Sequence, residues 1–257
     1  MTSVLPCDEL GSGPAIVLLH AGVADRRMFA EHLAALADSG HRVLAPDLPG
    51  FGEASVASDE DAPWNDVLAT MDALGVGEAT IVGNSFGGAV AQRLAVLAPE
   101  RVAALVLVSS PATGIPPSPQ LQEAWAAEEG AIERGDLDGA VAAVLRAWML
   151  PDAPAEQRAN LAAMQRRALE LQSAASAAAP GADPLAEDLD ALAALDVPAL
   201  VVVGEHDMSD FHAAAEALAG ALPRARRETI AGAGHLAPIE RPQAFRRLLL
   251  EFVATAS

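Results

Sequence analysis

The chain has 257 residues, a formal net charge of −19 and a hydrophobic content of 52%. This excess of negative charge opposes nonspecific binding to nucleic acid and to anionic membrane surfaces, so we expect neither as a partner. The chain contains no lysine and one cysteine, Cys7, which excludes lysine Schiff bases, Walker lysines, serine–lysine dyads and intrachain disulfides.

The distribution of apolar residues indicates no membrane segment. No run of about 18 apolar residues occurs in the chain. The amino-terminal residues lack the basic segment and the long apolar segment of a secretory signal. We therefore expect the protein to be cytoplasmic.

The first part of the chain alternates apolar runs of β type with helical segments, and short loops join them. The predicted strands cover residues 15–19, 41–46, 80–82 and 102–109, with a weaker one at 4–10. The predicted helices cover residues 27–39, 61–74 and 86–97. Continuous apolar strands that alternate with helices are typical of a parallel sheet with helices on both faces.

The middle of the chain loses the strand pattern. Four prolines lie between residues 111 and 119, and the following stretch to residue 195 is rich in Ala, Glu, Gln and Leu. This composition favours helices, and further prolines divide the stretch into three or four of them. We predict a helical cap at residues 113–195, inserted into a core domain formed by residues 1–112 and 196–257.

The sheet pattern returns in the last part of the chain. Predicted strands cover residues 197–204 and 226–230, and predicted helices cover residues 211–221 and 242–253. The fold class is therefore predicted to be α/β, a three-layer α/β/α sandwich with a mostly parallel central sheet and an inserted helical lid.

A serine lies at the centre of the sequence Gly-Asn-Ser-Phe-Gly, residues 83–87, between an apolar run and a predicted helix. Glycines two residues before and two residues after Ser85 fit a strand-to-helix turn that leaves no room for side chains. Such a turn exposes the hydroxyl, and the helix that follows directs backbone N–H groups toward it. This motif alone leaves open a solvated serine in a glycine-rich turn.

A serine hydroxyl is a weak nucleophile unless a base accepts its proton and an acid orients that base. Asp207 lies three residues after a strand-ending glycine, and His235 lies in a glycine-flanked loop after the last strand. The order Ser85, Asp207, His235 is typical of nucleophile-elbow hydrolases. Asp207 could instead cap the next helix, and Glu205 and Asp210 are alternatives for the acid.

Five motifs in chain order resemble those of the α/β-hydrolase fold serine hydrolases, in particular esterases and lactonases. They are His-Ala-Gly at 20–22, Asp-Leu-Pro-Gly-Phe-Gly at 47–52, the serine elbow at 83–88, Gly-Glu-His-Asp at 204–207 and Gly-His at 234–235. The resemblance covers nearly all of the chain outside the predicted cap. Ala21 departs from the pattern, since the family usually has glycine there.

The resemblance implies a Ser85–His235–Asp207 triad that needs no cofactor and no metal. It also implies an oxyanion hole made of the backbone N–H groups of Gly22 and Phe86, with Val23 as a substitute for Gly22. Candidate substrate contacts from the cap and from the loop after the first apolar strand are Val23, Arg27, Trp125, Trp148 and Met149.

Several of these candidates have a second interpretation. Arg27, or its neighbour Arg26, could meet a substrate carboxylate or form surface ion pairs. The tryptophans and Met149 could form the core of the lid or the wall of the pocket. We expect His20 to brace the oxyanion loop, and His32 to lie on the surface.

The predicted reaction is hydrolysis of a small-molecule substrate, a carboxylic ester, lactone or thioester, through an acyl-enzyme. The elbow also resembles those of hydrolases that cleave a carbon–carbon bond in a vinylogous diketone, which is the alternative reaction. A ligand-binding protein on a hydrolase scaffold is an alternative of a different class. We expect a monomer or a homodimer.

Overall fold

A computed structural model describes residues 3–57, 60–175, 178–185 and 189–256. Its strands are β1 Cys7–Gly11, β2 Ala15–Leu19, β3 Arg42–Pro46, β4 Glu60–Asp61, β5 Ala79–Asn84, β6 Val102–Val108, β7 Ala179–Pro180, β8 Ala199–Gly204 and β9 Ala225–Ile230. Its α-helices are α1 Ala30–Asp38, α2 Pro63–Ala73, α3 Phe86–Leu97, α4 Pro119–Glu133, α5 Leu137–Trp148, α6 Ala155–Ser173, α7 Ser209–Ala221, α8 Ala237–Glu240 and α9 Pro242–Ala256.

The main sheet of the described residues has seven strands in the order β1-β3-β2-β5-β6-β8-β9. Only β1 runs antiparallel to its neighbour, β3, and it lies at the edge. The other pairs are parallel, so the carboxyl ends of β2, β3, β5, β6, β8 and β9 lie at one edge of the sheet. The prediction of a mostly parallel sheet is confirmed.

Both faces of the sheet are covered by helices. Along β2, Val17 and Leu19 point into one core cluster, and Ile16 and Leu18 point into the other. The first cluster includes side chains of α2, α3 and α7, and the second includes side chains of α1 and α9. This alternation of direction, with every side chain of the strand's interior buried, confirms the three-layer architecture.

Three long helices, α4, α5 and α6, lie in the chain between β6 and β8, which are neighbours in the sheet. A small core cluster joins them, formed by Ala131, Ala140, Val141 and Leu169. The boundaries of a cap at 113–195 remain a prediction, and residues 176–177 and 186–188 of that range lie outside the described residues. Within the described chain, no helix has the length and apolar character needed to cross a membrane.

The prediction that His32 lies on the surface is wrong. The side chain is fully buried between α1 and the carboxyl-terminal helices, and its Nε2–H donates to the carbonyl of Pro238 at 2.9 Å. Phe29 and Phe245 contact the ring edge to face. Residues 29, 32 and 36 share one face of a helix, so the periodicity could have shown this position to be internal.

Candidate active site

Ser85 occupies a turn that leaves no room for neighbouring side chains. It is the single residue between β5 and α3, and its backbone has φ +53° and ψ −114°. A Cβ atom on Gly83 would lie 2.2 Å from the carbonyl oxygen of Gly87, and one on Gly87 would lie 2.2 Å from that of Leu19. The positive φ at a non-glycine residue marks a strained conformation, which is typical of functional sites. The turn presents the Ser85 hydroxyl at the carboxyl edge of the sheet.

Three side chains from distant loops form a hydrogen-bonded chain at this edge. The Ser85 hydroxyl donates to Nε2 of His235, with 2.8 Å between the heavy atoms. Nδ1–H of His235 donates to the carboxylate of Asp207, at 3.0 Å from Oδ1 and 3.2 Å from Oδ2. The structure therefore brings together the three residues that the sequence selects as nucleophile, base and acid.

Asp207 is held in place by the turn after β8. Its side chain is fully buried, and Oδ1 also accepts the backbone N–H of Met208. The two alternatives for the acid point elsewhere. Glu205 accepts the backbone N–H of Gly232, and Asp210 accepts the backbone N–H and the hydroxyl of Ser118. Of the three carboxylates, Asp207 is the one that contacts the imidazole.

Two aromatic rings enclose the imidazole of His235. Its ring centroid lies 4.6 Å from that of Trp148 at the end of α5, and 4.2 Å from that of Phe211 in α7. Rings at these distances restrict rotation of the imidazole. None of the sequence motifs indicates Phe211 as a site residue. Its place in the first turn of the helix after Asp207 was the available signal.

A tight turn after β2 supplies the candidate oxyanion donors. The backbone N–H of Ala24 donates to the carbonyl of Ala21 at 3.0 Å, which places Gly22 and Val23 at the centre of the turn. A Cβ atom on Gly22 would lie 3.2 Å from Cβ of Phe86, so the two backbones are close together. Among the described residues, the N–H groups of Gly22 and Phe86 have no hydrogen-bond acceptor. Both remain available to a ligand oxygen.

His20 braces this turn, as the sequence predicts. Its Nδ1–H donates to the carbonyl of Ala21 at 2.9 Å, and its Nε2 accepts the backbone N–H of Leu48 at 2.8 Å. Burial lowers the pKa of His20, although hydrogen bonding and the nearby carboxylates of Asp47 and Asp25 oppose that effect. A neutral ring is required here because a protonated Nε2 could not accept a hydrogen bond.

The structure does not bring Arg27 to the cavity beside Ser85. Its guanidinium forms an ion pair with Asp25, and it lies in a separate surface depression. Its neighbour Arg26 is paired with Asp47, Asp8 and Glu53. Carboxylates close in space therefore neutralise both arginines, and the interpretation as surface ion pairs fits the contacts. Met149 is also absent from the cavity wall, because it packs into the core on the other face of the sheet.

A cavity of about 450 Å³ opens above the Ser85 hydroxyl. Three of the candidate substrate contacts, Val23, Trp125 and Trp148, line it together with His235. Most of the remaining wall is apolar, and the size is typical of a small-molecule site. Among the described residues that line it, none is an arginine and two are carboxylates: Glu128, which no sequence motif indicates, and Asp210, one of the two alternatives for the acid.

The two carboxylates differ in their surroundings. Burial acts to raise the pKa of Asp210, but the hydrogen bonds from Ser118 outweigh it and the pKa lies below its usual value. Burial also raises the pKa of Glu128, and there a single hydrogen bond from Gln165 opposes it without reversing the shift. Asp210 is therefore satisfied within the protein, whereas Glu128 is not.

Other reactive groups are poorly placed for chemistry. Burial raises the pKa of the Cys7 thiol to about 12, so that its nucleophilic thiolate form is disfavoured at neutral pH. In the residues that the structure describes, no three His, Cys, Asp or Glu side chains come together as a metal site.

Comparison with known proteins identifies the family. The model of a family described as alpha/beta hydrolase fold matches residues 14–242 of this chain. The chain belongs to the alpha/beta hydrolase fold family. This α/β hydrolase is 33% identical over 222 residues to the 2-hydroxymuconate semialdehyde hydrolase of Pseudomonas putida, a match that covers 84% of this chain and 78% of that protein.

Two further proteins are similar to this chain, one of them much longer than it and the other with a solved structure. The α/β hydrolase is 33% identical over 249 residues to the polyketide synthase ThaQ of Burkholderia thailandensis, and the match covers 95% of this chain but only 12% of ThaQ. The solved enol-lactonase of Burkholderia xenovorans LB400 superposes with a TM-score of 0.79 and 27% identity, over 97% of this chain and 96% of that one. Proteins named as a semialdehyde hydrolase and as an enol-lactonase are therefore both similar to this chain.

Proposed function

We propose that this α/β hydrolase cleaves a small, largely apolar carboxylic ester, lactone or thioester without a cofactor. The observation that carries the proposal is the hydrogen-bonded chain from the Ser85 hydroxyl through His235 to Asp207 at the floor of an apolar cavity. A hydroxyl, an imidazole and a buried carboxylate in this order are the groups that acyl transfer requires.

In the proposed mechanism, Ser85 Oγ attacks the substrate carbonyl carbon while Nε2 of His235 accepts the hydroxyl proton. The negative charge that develops on the carbonyl oxygen is stabilised by the N–H groups of Gly22 and Phe86, each worth about 2.7–4 kcal/mol in such sites. The imidazolium returns the proton to the leaving alkoxide or thiolate, and an acyl-Ser85 ester forms. Water, deprotonated by His235, then releases the carboxylic acid and restores the Ser85 hydroxyl.

Asp207 and the two aromatic rings act on His235 in this scheme. The carboxylate holds the tautomer in which Nδ1 carries the proton, and it stabilises the imidazolium. Trp148 and Phe211 keep the ring plane in line with the Ser85 hydroxyl.

Cleavage of a carbon–carbon bond is the second candidate, and the similarity to the 2-hydroxymuconate semialdehyde hydrolase favours it. Muconate derivatives carry a carboxylate, which needs a cation or several N–H donors. An adjoining cavity, which shares several lining residues with the first, contains Arg93, but the guanidinium of Arg93 already pairs with Asp183. The charge of the cavity therefore supports a neutral or cationic substrate over an anionic one.

The proposal extends to the organisation and the setting of the protein. Residues 113–195 would form a cap over a core of residues 1–112 and 196–257, since α4 and α5 supply one wall of the cavity. A small molecule would be its partner, in the cytoplasm, with the chain as a monomer or a homodimer. Size-exclusion chromatography with light scattering tests the last point.

The experiment that tests the reaction compares wild type with Ser85→Ala on p-nitrophenyl butyrate and with a fluorophosphonate probe. We expect the variant to lose at least about 10⁴-fold in kcat and to lose all labelling. Ser173→Ala, at an exposed serine in α6, is the matched control and should keep both. Turnover by Ser85→Ala at the wild-type rate would overturn the proposal.

Two further results would redirect the assignment. A vinylogous 1,5-diketone cleaved faster than any ester or lactone would favour the carbon–carbon reaction. Absence of both turnover and labelling in folded wild-type protein would favour the ligand-binding alternative.

A further inference from the structure

We propose that the substrate carries a protonated amine, held by Glu128 and Trp125 of α4, which line the same cavity as Ser85. The inference rests on the proposed function, because it names the class of ester or thioester that the site would select. It assigns Glu128 a binding role that neither the family motifs nor the triad requires.

Trp125 and Glu128 are neighbours on one face of α4. They lie three residues apart, which places their side chains on the same side of a helix. Both line the cavity that contains the Ser85 hydroxyl. Trp125 is 49% exposed, which is unusual for so large an apolar side chain and consistent with a place at the mouth of the cavity.

One carboxylate oxygen of Glu128 has no hydrogen-bond donor, and no cation pairs with the carboxylate, among the described residues. Gln165 Nε2 donates to its Oε1 at 2.9 Å, and no other described side chain bonds or pairs with the carboxylate. Gln165 itself is 4% exposed, and its Oε1 has no hydrogen-bond donor among the described residues. Glu128 lines the cavity and keeps an acceptor without a donor, so a ligand that brings an N–H donor and positive charge would satisfy it.

The chemistry of the wall matches an ammonium group better than a neutral one. Burial raises the pKa of the Glu128 carboxyl, and a bound ammonium would lower that pKa by favouring the charged form. The face of an indole attracts cations, so Trp125 adds to the same preference. The other cavity carboxylate, Asp210, does not compete, since Ser118 occupies both of its oxygens.

The test uses esters that differ only in charge. 2-(Dimethylamino)ethyl butyrate, protonated at pH 7, is compared with its isostere 3-methylbutyl butyrate, so the amine lies in the alcohol part. Ethyl 4-(dimethylamino)butanoate is compared with ethyl 5-methylhexanoate, so the amine lies in the acyl part. Hydrolysis is followed by titration of released acid. For wild type we expect the amine ester of at least one pair to have a kcat/KM about 10-fold or more above that of its isostere.

Variants of α4 locate the effect. Glu128→Gln keeps the size of the side chain and an acceptor for Gln165, and we expect it to bring the ratio within each pair close to one. Trp125→Leu should lower the preferred ratio about 3-fold. Glu129→Gln removes the same charge from an exposed neighbour on the same helix, so it should leave the ratio at the wild-type value. A ratio near one for wild type, or an equal loss in Glu128→Gln and Glu129→Gln, would overturn the inference.

Binding separates this inference from the proposed reaction. Calorimetry on Ser85→Ala measures the Kd of each ester without turnover, and we expect the amine ester to bind about 10-fold more tightly. If wild type cleaves none of the four esters but this difference persists, the proposed reaction is wrong for these substrates and the cation site stands. If all are cleaved and the Kd values within each pair are equal, the reaction stands and the cation site is wrong.

Discussion

The cavity has two walls that are built in different ways. The floor is the carboxyl edge of the sheet, where a side chain in place of Gly83 or Gly87 would collide with neighbouring backbone atoms. The roof is formed by α4 and α5, which pack against each other and against α6 through side chains of a small core cluster. In the proposed function, the reacting groups, which require close alignment, lie on the floor, and the groups proposed to select the ligand lie on the roof. We therefore expect substitutions on the floor to change rate and stability more than substitutions on the roof.

The largest expected effect is on the floor, at the carboxylate behind His235. Asp207→Asn removes the charge that orients the imidazole and stabilises its protonated form, so kcat should fall about 10⁴-fold with little change in KM. Steady-state kinetics on p-nitrophenyl butyrate measure this. Asp152→Asn, at an exposed loop residue between α5 and α6, should keep the wild-type kcat. A loss of less than 10-fold in Asp207→Asn would contradict the role of Asp207 in orienting and stabilising the imidazole.

The second effect concerns the stability of the whole fold at low pH. Burial lowers the pKa of His32 from its ordinary 6.5 to about 4. Between these values the unfolded chain binds the proton and the folded chain does not, so acid destabilises the fold as the pH falls from 6.5 to 4. The loss from this one group amounts to at most about 3 kcal/mol.

Urea unfolding of wild type and His32→Gln at pH 6.5, 5 and 4 isolates this contribution. The variant carries no titrating group at this position, so its stability should depend less steeply on pH. We expect the difference in unfolding free energy, wild type minus variant, to decrease as the pH falls. A difference that stays constant with pH would contradict the assignment to His32.

The third effect is on the roof, where Trp148 contacts the imidazole. Trp148→Leu removes an aromatic ring 4.6 Å from that of His235, and kcat should fall roughly 3- to 10-fold, as expected for an aromatic contact of about 1 kcal/mol. Trp148→Phe restores a ring and should recover most of the loss. Equal losses in both variants would mean that the side chain only fills the cavity wall.

The smallest effect is at the residue that joins the two walls. Glu240 accepts the backbone N–H of Gly234, beside His235, at 2.7 Å, and that of Leu150, after α5, at 2.9 Å. Burial raises the pKa of Glu240, and these hydrogen bonds oppose the increase without reversing it. Because the folded chain then holds the proton more tightly than the unfolded chain, this group's stabilisation is lost as the pH rises from about 4.5 through the raised pKa.

Glu240→Gln tests this link by thermal unfolding between pH 4 and 7. The variant loses one of the two accepted hydrogen bonds at every pH, but it does not ionise. We therefore expect its Tm to rise relative to that of wild type as the pH increases. A Tm difference that is independent of pH would show that the carboxyl does not titrate in this range.

Much of the floor could be predicted from the sequence, because the backbone conformations that build it depend on residues close together in the chain. The glycines around Ser85, the strand-ending glycine before Asp207 and the late glycine-flanked His235 each reflect a demand of the backbone within a few residues. Parallel strands then bring their carboxyl ends to one edge of the sheet. The meeting of the three loops can therefore be predicted without a model of side-chain packing. The family, the sheet and the grouping of these side chains follow from such patterns.

Only the tertiary structure decided which side chains face the cavity from the other elements. Arg27 pairs with Asp25, and Met149 packs into the core. Phe211 and Glu128 line the cavity instead. His32 became buried because α8 and α9 cover it from more than 200 residues away. These outcomes depend on how helices distant in the chain pack against one another, and packing is a property of the assembled surfaces rather than of any short stretch of sequence.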